Sequence, residues 1–142
     1  MLRFETIPMH QKTKLIQLAD ILMLIGDNDL EWSLVDFHGV GQAPRGMTMP
    51  DFEDLVRSSF LGYRMKWHDL DEFAHSLDQT MECLIIAATS LEEITEQQLR
   101  VDDFSGCSFV VEALDSTEWR LGSMNDSDIH NFRRLQVSSY RG

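Results

Sequence analysis

The chain has 142 residues, with 12 Lys and Arg against 24 Asp and Glu, giving a formal net charge of −12. That length lets one domain (1–142) bury a core without disulfide or metal staples, and 43% hydrophobic with 25% charged residues excludes a disordered tail, a collagen-like repeat and a membrane-embedded chain. The acidity argues against nucleic acid as a partner, since phosphate contacts need a basic footprint, and favours a partner that is itself basic.

Leu15, Leu18, Ala19, Leu22 and Ile25 recur at helical spacing, Pro8 is allowed in a first turn, and Gly26 can take the left-handed stop. The spacing predicts a helix from about Pro8 to Ile25. Ile16, Ile21, Met23 and Leu24 make its second half apolar nearly all round, so it is expected to be buried on more than one side or to face another chain, as in a homodimer. The stretch is interrupted by Gln17 and Asp20, is too short to span a bilayer, and reads poorly as a signal peptide. A cytoplasmic protein is expected.

Leu30, Trp32 and Leu34 alternate with Glu31 and Ser33, which predicts a strand to about Phe37. A glycine-rich loop, His38 to Met47, is expected next. Thr48-Met49-Pro50-Asp51 opens a helix with a Thr cap, Phe52, Leu55 and Val56 form its apolar face, and Gly62 breaks it. Trp67, Leu70, Phe73, Ala74 and Leu77 mark a third helix, about Trp67 to Gln79. Met81 to Thr89 is nearly all apolar and reads as a strand covered on both faces. Ser90-Leu91-Glu92-Glu93 reads as a capping box for a short helix to about Leu99. Cys107 to Leu114 is a strand, Asp115-Ser116-Thr117 a turn, and Trp119 and Leu121 its hairpin partner. Asp126 or Ser127 caps a last helix built on Ile129 and Phe132, with Leu135 beyond. The sum is an α+β fold: an antiparallel or mixed sheet of about four strands with helices packed on it.

Cys83 and Cys107 sit in apolar runs and form no C-x-x-C pair, which predicts two buried free thiols; a bridge between neighbouring strands is the alternative.

The charge is concentrated. Residues 51–103 carry a net of −9, against −2 before them and −1 after. The excess falls on predicted helix starts and loops, where one reading is first-turn acids on a solvated face. The other is an electronegative binding face for a basic protein, made of Asp69, Asp71, Glu72, Asp78, Glu92, Glu93, Glu96, Asp102 and Asp103. Asp27 and Asp29 fall outside that set.

Catalytic signatures are weak. His68, Glu72 and His75, at i, i+4 and i+7 on the third helix, form the best metal-like cluster, but di-iron sites need a second Glu-x-x-His and zinc proteases need His-Glu-x-x-His. Gly39-Val40-Gly41 after a strand lacks the spacing of a phosphate loop, and Ser58, Ser59, Ser116 and Cys107 have no motif pairing them with a histidine. No cofactor, metal or catalytic residue is expected.

Asp115-Ser116-Thr117-Glu118-Trp119, followed by Asp126-Ser127-Asp128-Ile129 entering a helix with Phe132, resembles the tail of small bacterial immunity-like proteins. Trp32 to Gly39, then the Phe52-Leu55-Val56 and Trp67-Leu70-Phe73 helices, have a similar cadence, so the resemblance covers about two thirds of the chain. It implies a cytoplasmic, non-catalytic protein encoded beside a toxin that it neutralises. A cationic toxin nuclease domain suits the charge. The alternatives are a small metal-dependent enzyme using His68, Glu72 and His75, and a regulatory or assembly subunit contacting its partner through the first helix.

Overall fold

A computed structural model describes residues 1–11 and 14–141, and the side chains of these up to residue 136. The chain opens with β1 (Arg3–Pro8), the two-residue strands β2 (His10–Gln11) and β3 (Lys14–Leu15), and α1 (Leu18–Ile25). The long β4 (Glu31–Gly41) leads through a 3-10 turn at Pro44–Gly46 to α2 (Met49–Val56), β5 (Tyr63–Lys66) and α3 (Trp67–His75). Then come β6 (Leu77–Ala88), a 3-10 turn at Leu91–Glu93, α4 (Glu96–Arg100), the hairpin β7 (Phe109–Leu114) and β8 (Glu118–Ser123), and α5 (Asp126–Arg141). The fold is α+β. Its sheet is antiparallel and has six strands, in the order β1-β8-β7-β6-β4-β5.

The two strands beyond the expected four are the edges, β1 and β5. Each buries a single side chain, Ile7 in β1 and Met65 in β5, and Arg64 and Lys66 stand exposed beside the latter. Charges on an edge strand discourage pairing with a second chain, and they also hide the strand from a search for hydrophobic alternation. The helix expected over Pro8–Ile25 is only α1. Pro8 ends β1 opposite Glu118, and the backbone then turns through β2 and β3, where the Ile16 N–H donates to the Met9 carbonyl at 2.8 Å. Lys12 and Thr13, within that expected helix, lie outside the described residues. The Asp20 carboxylate accepts the Gln17 N–H at 2.8 Å and starts α1 late. The other long run is also cut: α3 stops at His75, and Leu77 to Gln79 already belong to β6.

The sheet has a core on each face, as strand alternation requires. On the first, Trp32, Leu34, Phe37, Cys83, Ile85, Val111, Trp119 and Leu121 meet α1, α2, α3 and α5. Phe37, Phe52 and Phe73 pack mutually, with ring centroids 5.2–6.2 Å apart. The buried indoles keep their N–H groups paired: Trp32 donates to Asn28 Oδ1 at 2.8 Å and Trp119 to the Ile16 carbonyl at 2.9 Å. On the second face, Leu91, Ile94, Phe104 and Cys107 of the β6–β7 crossover cover Ile86, Ala88 and Val110. Cys83 and Cys107 are thus buried free thiols on opposite sides of the sheet.

Sites expected to start and stop helices divide in the same way. Thr48 Oγ1 accepts the Asp51 N–H at 3.2 Å and caps α2. Ser90 makes no such bond. Thr95 caps α4 instead, its Oγ1 accepting the Gln98 N–H at 3.1 Å, because the chain needs a 3-10 turn first to bring Leu91 and Ile94 onto the sheet. Asn125, one residue ahead of α5, accepts the Ser127 N–H at 2.9 Å. Asp115 and Ser116 both take positive φ, 52° and 59°, at the centre of a turn closed by the Thr117 N–H donating to the Leu114 carbonyl at 3.0 Å, and three residues separate the paired Leu114 and Glu118.

Candidate functional site

Five of the nine acids expected to bind a partner are set by two elements. In α3, Trp67, Leu70, Phe73 and Ala74 face the core, which leaves Asp69, Asp71 and Glu72 on the outer side. The 3-10 turn buries Leu91 and leaves Glu92 and Glu93 in water. Asp78 is the second residue of β6, Glu96 opens α4, and Asp102 and Asp103 follow its end. Asp69, Glu72, Asp78, Glu92, Glu93 and Asp102 are exposed and form no ion pair with the described residues. Glu96 pairs with Arg100 at 2.7 Å. Hydrogen bonds from the Ser105 hydroxyl and N–H hold the Asp103 carboxyl below its usual range.

The structure does not gather the nine on one face. α3 belongs to the layer on the first face of the sheet, and the Leu91–Cys107 crossover covers the second. What α3 joins is a pair of clefts at the β5 edge. One, of about 310 Å³, is lined by Asp69 and Glu72 with Arg45, Tyr63 and Arg64. The other, of about 690 Å³, is lined by Asp69, Trp67 and His68 with Asp27, Asp29 and Lys66. Asp27 and Asp29 are therefore neighbours of the α3 acids and not outside them, because the α1–β4 loop returns to the start of α3. Arg45, Arg64 and Lys66 offset much of the negative field there.

A second acidic surface escaped the sequence reading. The crossover covers only part of the sheet's second face. At its border and past it, Asp36, Leu84, Glu112, Arg120 and Thr6 stand side by side in register across β4, β6, β7, β8 and β1, with Arg57 and Arg100 lining a cleft beside Asp36. Next to this row His38 pairs with Glu82, and Leu114 with Glu118. Its sign was present in the polar residues that punctuate the strands, Asp36, Glu82 and Glu112, but finding which strands adjoin requires the topology. The expectation that the Met81–Thr89 strand is covered on both faces holds over Ile85–Ala88, all fully buried, and fails at Glu82, which is exposed.

The remaining candidates are dispersed. His68, Glu72 and His75 are exposed on α3, and His75 Nδ1 lies 2.8 Å from the Asp71 carbonyl. Among the described residues no three His, Cys, Asp or Glu side chains are placed to hold a metal ion. Gly39-Val40-Gly41 is strand, paired with β6, and not loop. Burial pushes the Cys83 thiol up and the Cys107 thiol up to about 11. Among the described residues no helix is long and apolar enough to cross a membrane.

No protein family, curated protein or solved structure matches this chain.

Proposed function

We propose that the chain is a non-catalytic acidic binding protein that neutralises a cationic bacterial toxin in the cytoplasm, as an immunity protein does. The observation that carries this reading is the concentration of exposed, unpaired carboxylates in a chain of net charge −12. A surplus of this size creates a field that draws in a basic protein and repels nucleic acid, and a toxin that reads the phosphate backbone presents the matching sign. Inhibition asks for a rigid surface of complementary charge, and a six-stranded sheet supports the rigidity that this reading needs.

The test is co-expression with the toxin encoded by the adjoining gene. Cells should grow when both are made and stop when the toxin is made alone. Equal growth arrest with and without this chain, or an adjoining gene that encodes no toxin, sinks the reading.

A further inference from the structure

Arg3, Arg57, Arg100, Arg120 and Arg133 each hold a carboxylate oxygen within 3.2 Å. Arg45 and Arg64 hold none among the described residues, although Asp69 and Glu72, themselves unpaired, line the same cleft of about 310 Å³. Opposite charges in one small cleft attract, and side chains able to meet would do so. Here they hang from different elements: the carboxylates from α3, Arg45 from the 3-10 turn at Pro44–Gly46, and Arg64 from β5. The space they line is bordered by both signs. We propose that this cleft binds a free α-amino acid, its carboxylate taken by Arg45 and Arg64 and its ammonium by Asp69 and Glu72. The site is independent of toxin binding.

A ligand of one charge gains little there. An anion that reaches the arginines also meets two carboxylates, and a cation that reaches the carboxylates meets two guanidinium groups. A zwitterion is favoured by both pairs, and arginine holds a carboxylate through short, charge-assisted hydrogen bonds. The volume lies at the small end of the range of about 300–1,000 Å³ for small-ligand sites, and Tyr63, Met65 and Phe73 give the cleft an apolar lining for an uncharged side chain. The walls are fixed before a ligand arrives. The Gln42 N–H donates to the Ser76 carbonyl at 3.1 Å and the Ser76 hydroxyl to the Gln42 carbonyl at 2.8 Å, which ties the segment leading to Arg45 to the end of α3. The Met47 N–H donates to the Pro44 carbonyl at 3.1 Å and closes the turn in which Arg45 takes a φ of 56°. Little backbone has to be ordered on binding.

The experiment titrates L-alanine, L-leucine and L-phenylalanine separately into the ¹⁵N-labelled full chain, each to about 10 mM, which detects a Kd of about 1 mM. At least one should give saturating amide shifts centred on Arg45, Arg64, Asp69 and Glu72. The analogues of that amino acid lacking the ammonium or the carboxylate should each bind at least about tenfold more weakly. Arg64→Gln and Glu72→Gln, at exposed and unpaired positions, should leave the urea midpoint unchanged and weaken binding about tenfold each. Shifts that stay linear to the highest concentration for all three amino acids overturn the site. Equal binding of a single-charge analogue, or unchanged affinity in both variants, does the same. Saturating shifts centred on Asp27–Asp29 would move the ligand to the neighbouring cleft and overturn this one.

Discussion

Glu53 closes a gap that β5 leaves. β5 pairs with β4 only over Glu31–Leu34, and beyond it the outer edge of β4 has no strand beside it. Glu53 reaches from α2 to that edge: its Oε2 accepts the Gly39 N–H at 3.0 Å and meets His38 Nδ1 at 3.0 Å. Replacing Glu53 by Ala should cost about 2 kcal/mol, since it leaves a buried N–H without an acceptor. Glu53→Gln keeps an oxygen there and should retain most of the stability in urea titrations. Equal losses in the two variants would show that the carboxylate's charge matters more than its acceptor role. Cys107 makes a pH prediction. Its thiol ionises at 9.0 ordinarily and at about 11 when buried in the fold. Between those values the unfolded chain has released a proton that the folded chain keeps. The stability this contributes is whole below pH 9 and is lost as pH rises through 11. Cys107→Ala should flatten the fall of the urea midpoint over that window, leaving the part due to Cys83. An unchanged slope would place the Cys107 thiol in water. The burial of both thiols was legible from their apolar neighbours. The role of Glu53 was not, because an acid in a helix reads as surface until the strand it caps is known to lie against it.

Among the elements, α1 shows how a correct pattern yields a wrong boundary. Its apolar surplus is used within the chain: Leu18, Ile21 and Leu22 are buried, and α3 and α5 flank the helix. Met9 and Ile16 are equally buried but lie in the links between β1 and β2 and between β3 and α1, so burial extends the hydrophobic run past the helix itself. Periodicity reports burial, and local hydrogen bonds decide the backbone. The homodimer proposed through this helix accordingly narrows to Met23, which is 71% exposed. Met23→Glu should convert a dimer to monomer in light scattering at about 100 µM, a concentration that detects weak dimers. A monomeric mass for the unaltered chain at that concentration rejects the dimer. Where caps and turns agreed with the periodicity, as at Thr48 and at Asp115-Ser116, element ends fell where expected.

At the scale of the molecule, the charge surplus was legible by counting, and its direction was not. A crossover that passes to the far side of a sheet separates acids close in sequence, and strand register joins acids far apart in it. Whatever face docks, association with a cationic toxin should be fast at low salt and slow steeply toward the Debye length of about 8 Å at physiological ionic strength. Stopped-flow rates indifferent to salt would reduce the surplus to solubilising surface.

The pairing of β1 with β8 has a consequence for synthesis. The partners run from Arg3↔Ser123 to Pro8↔Glu118, so the first strand made waits for the last. Contacts this distant along the chain carry a large loop-closure cost and form late. Ile7→Val, at a fully buried position, should cost about 1 kcal/mol and speed unfolding about fivefold while refolding stays near its original rate. Refolding slowed by the same factor would put β1 in the nucleus instead. Until residue 123 leaves the ribosome, β1 has no strand to pair with, and its amides and the side chain of Ile7 face water.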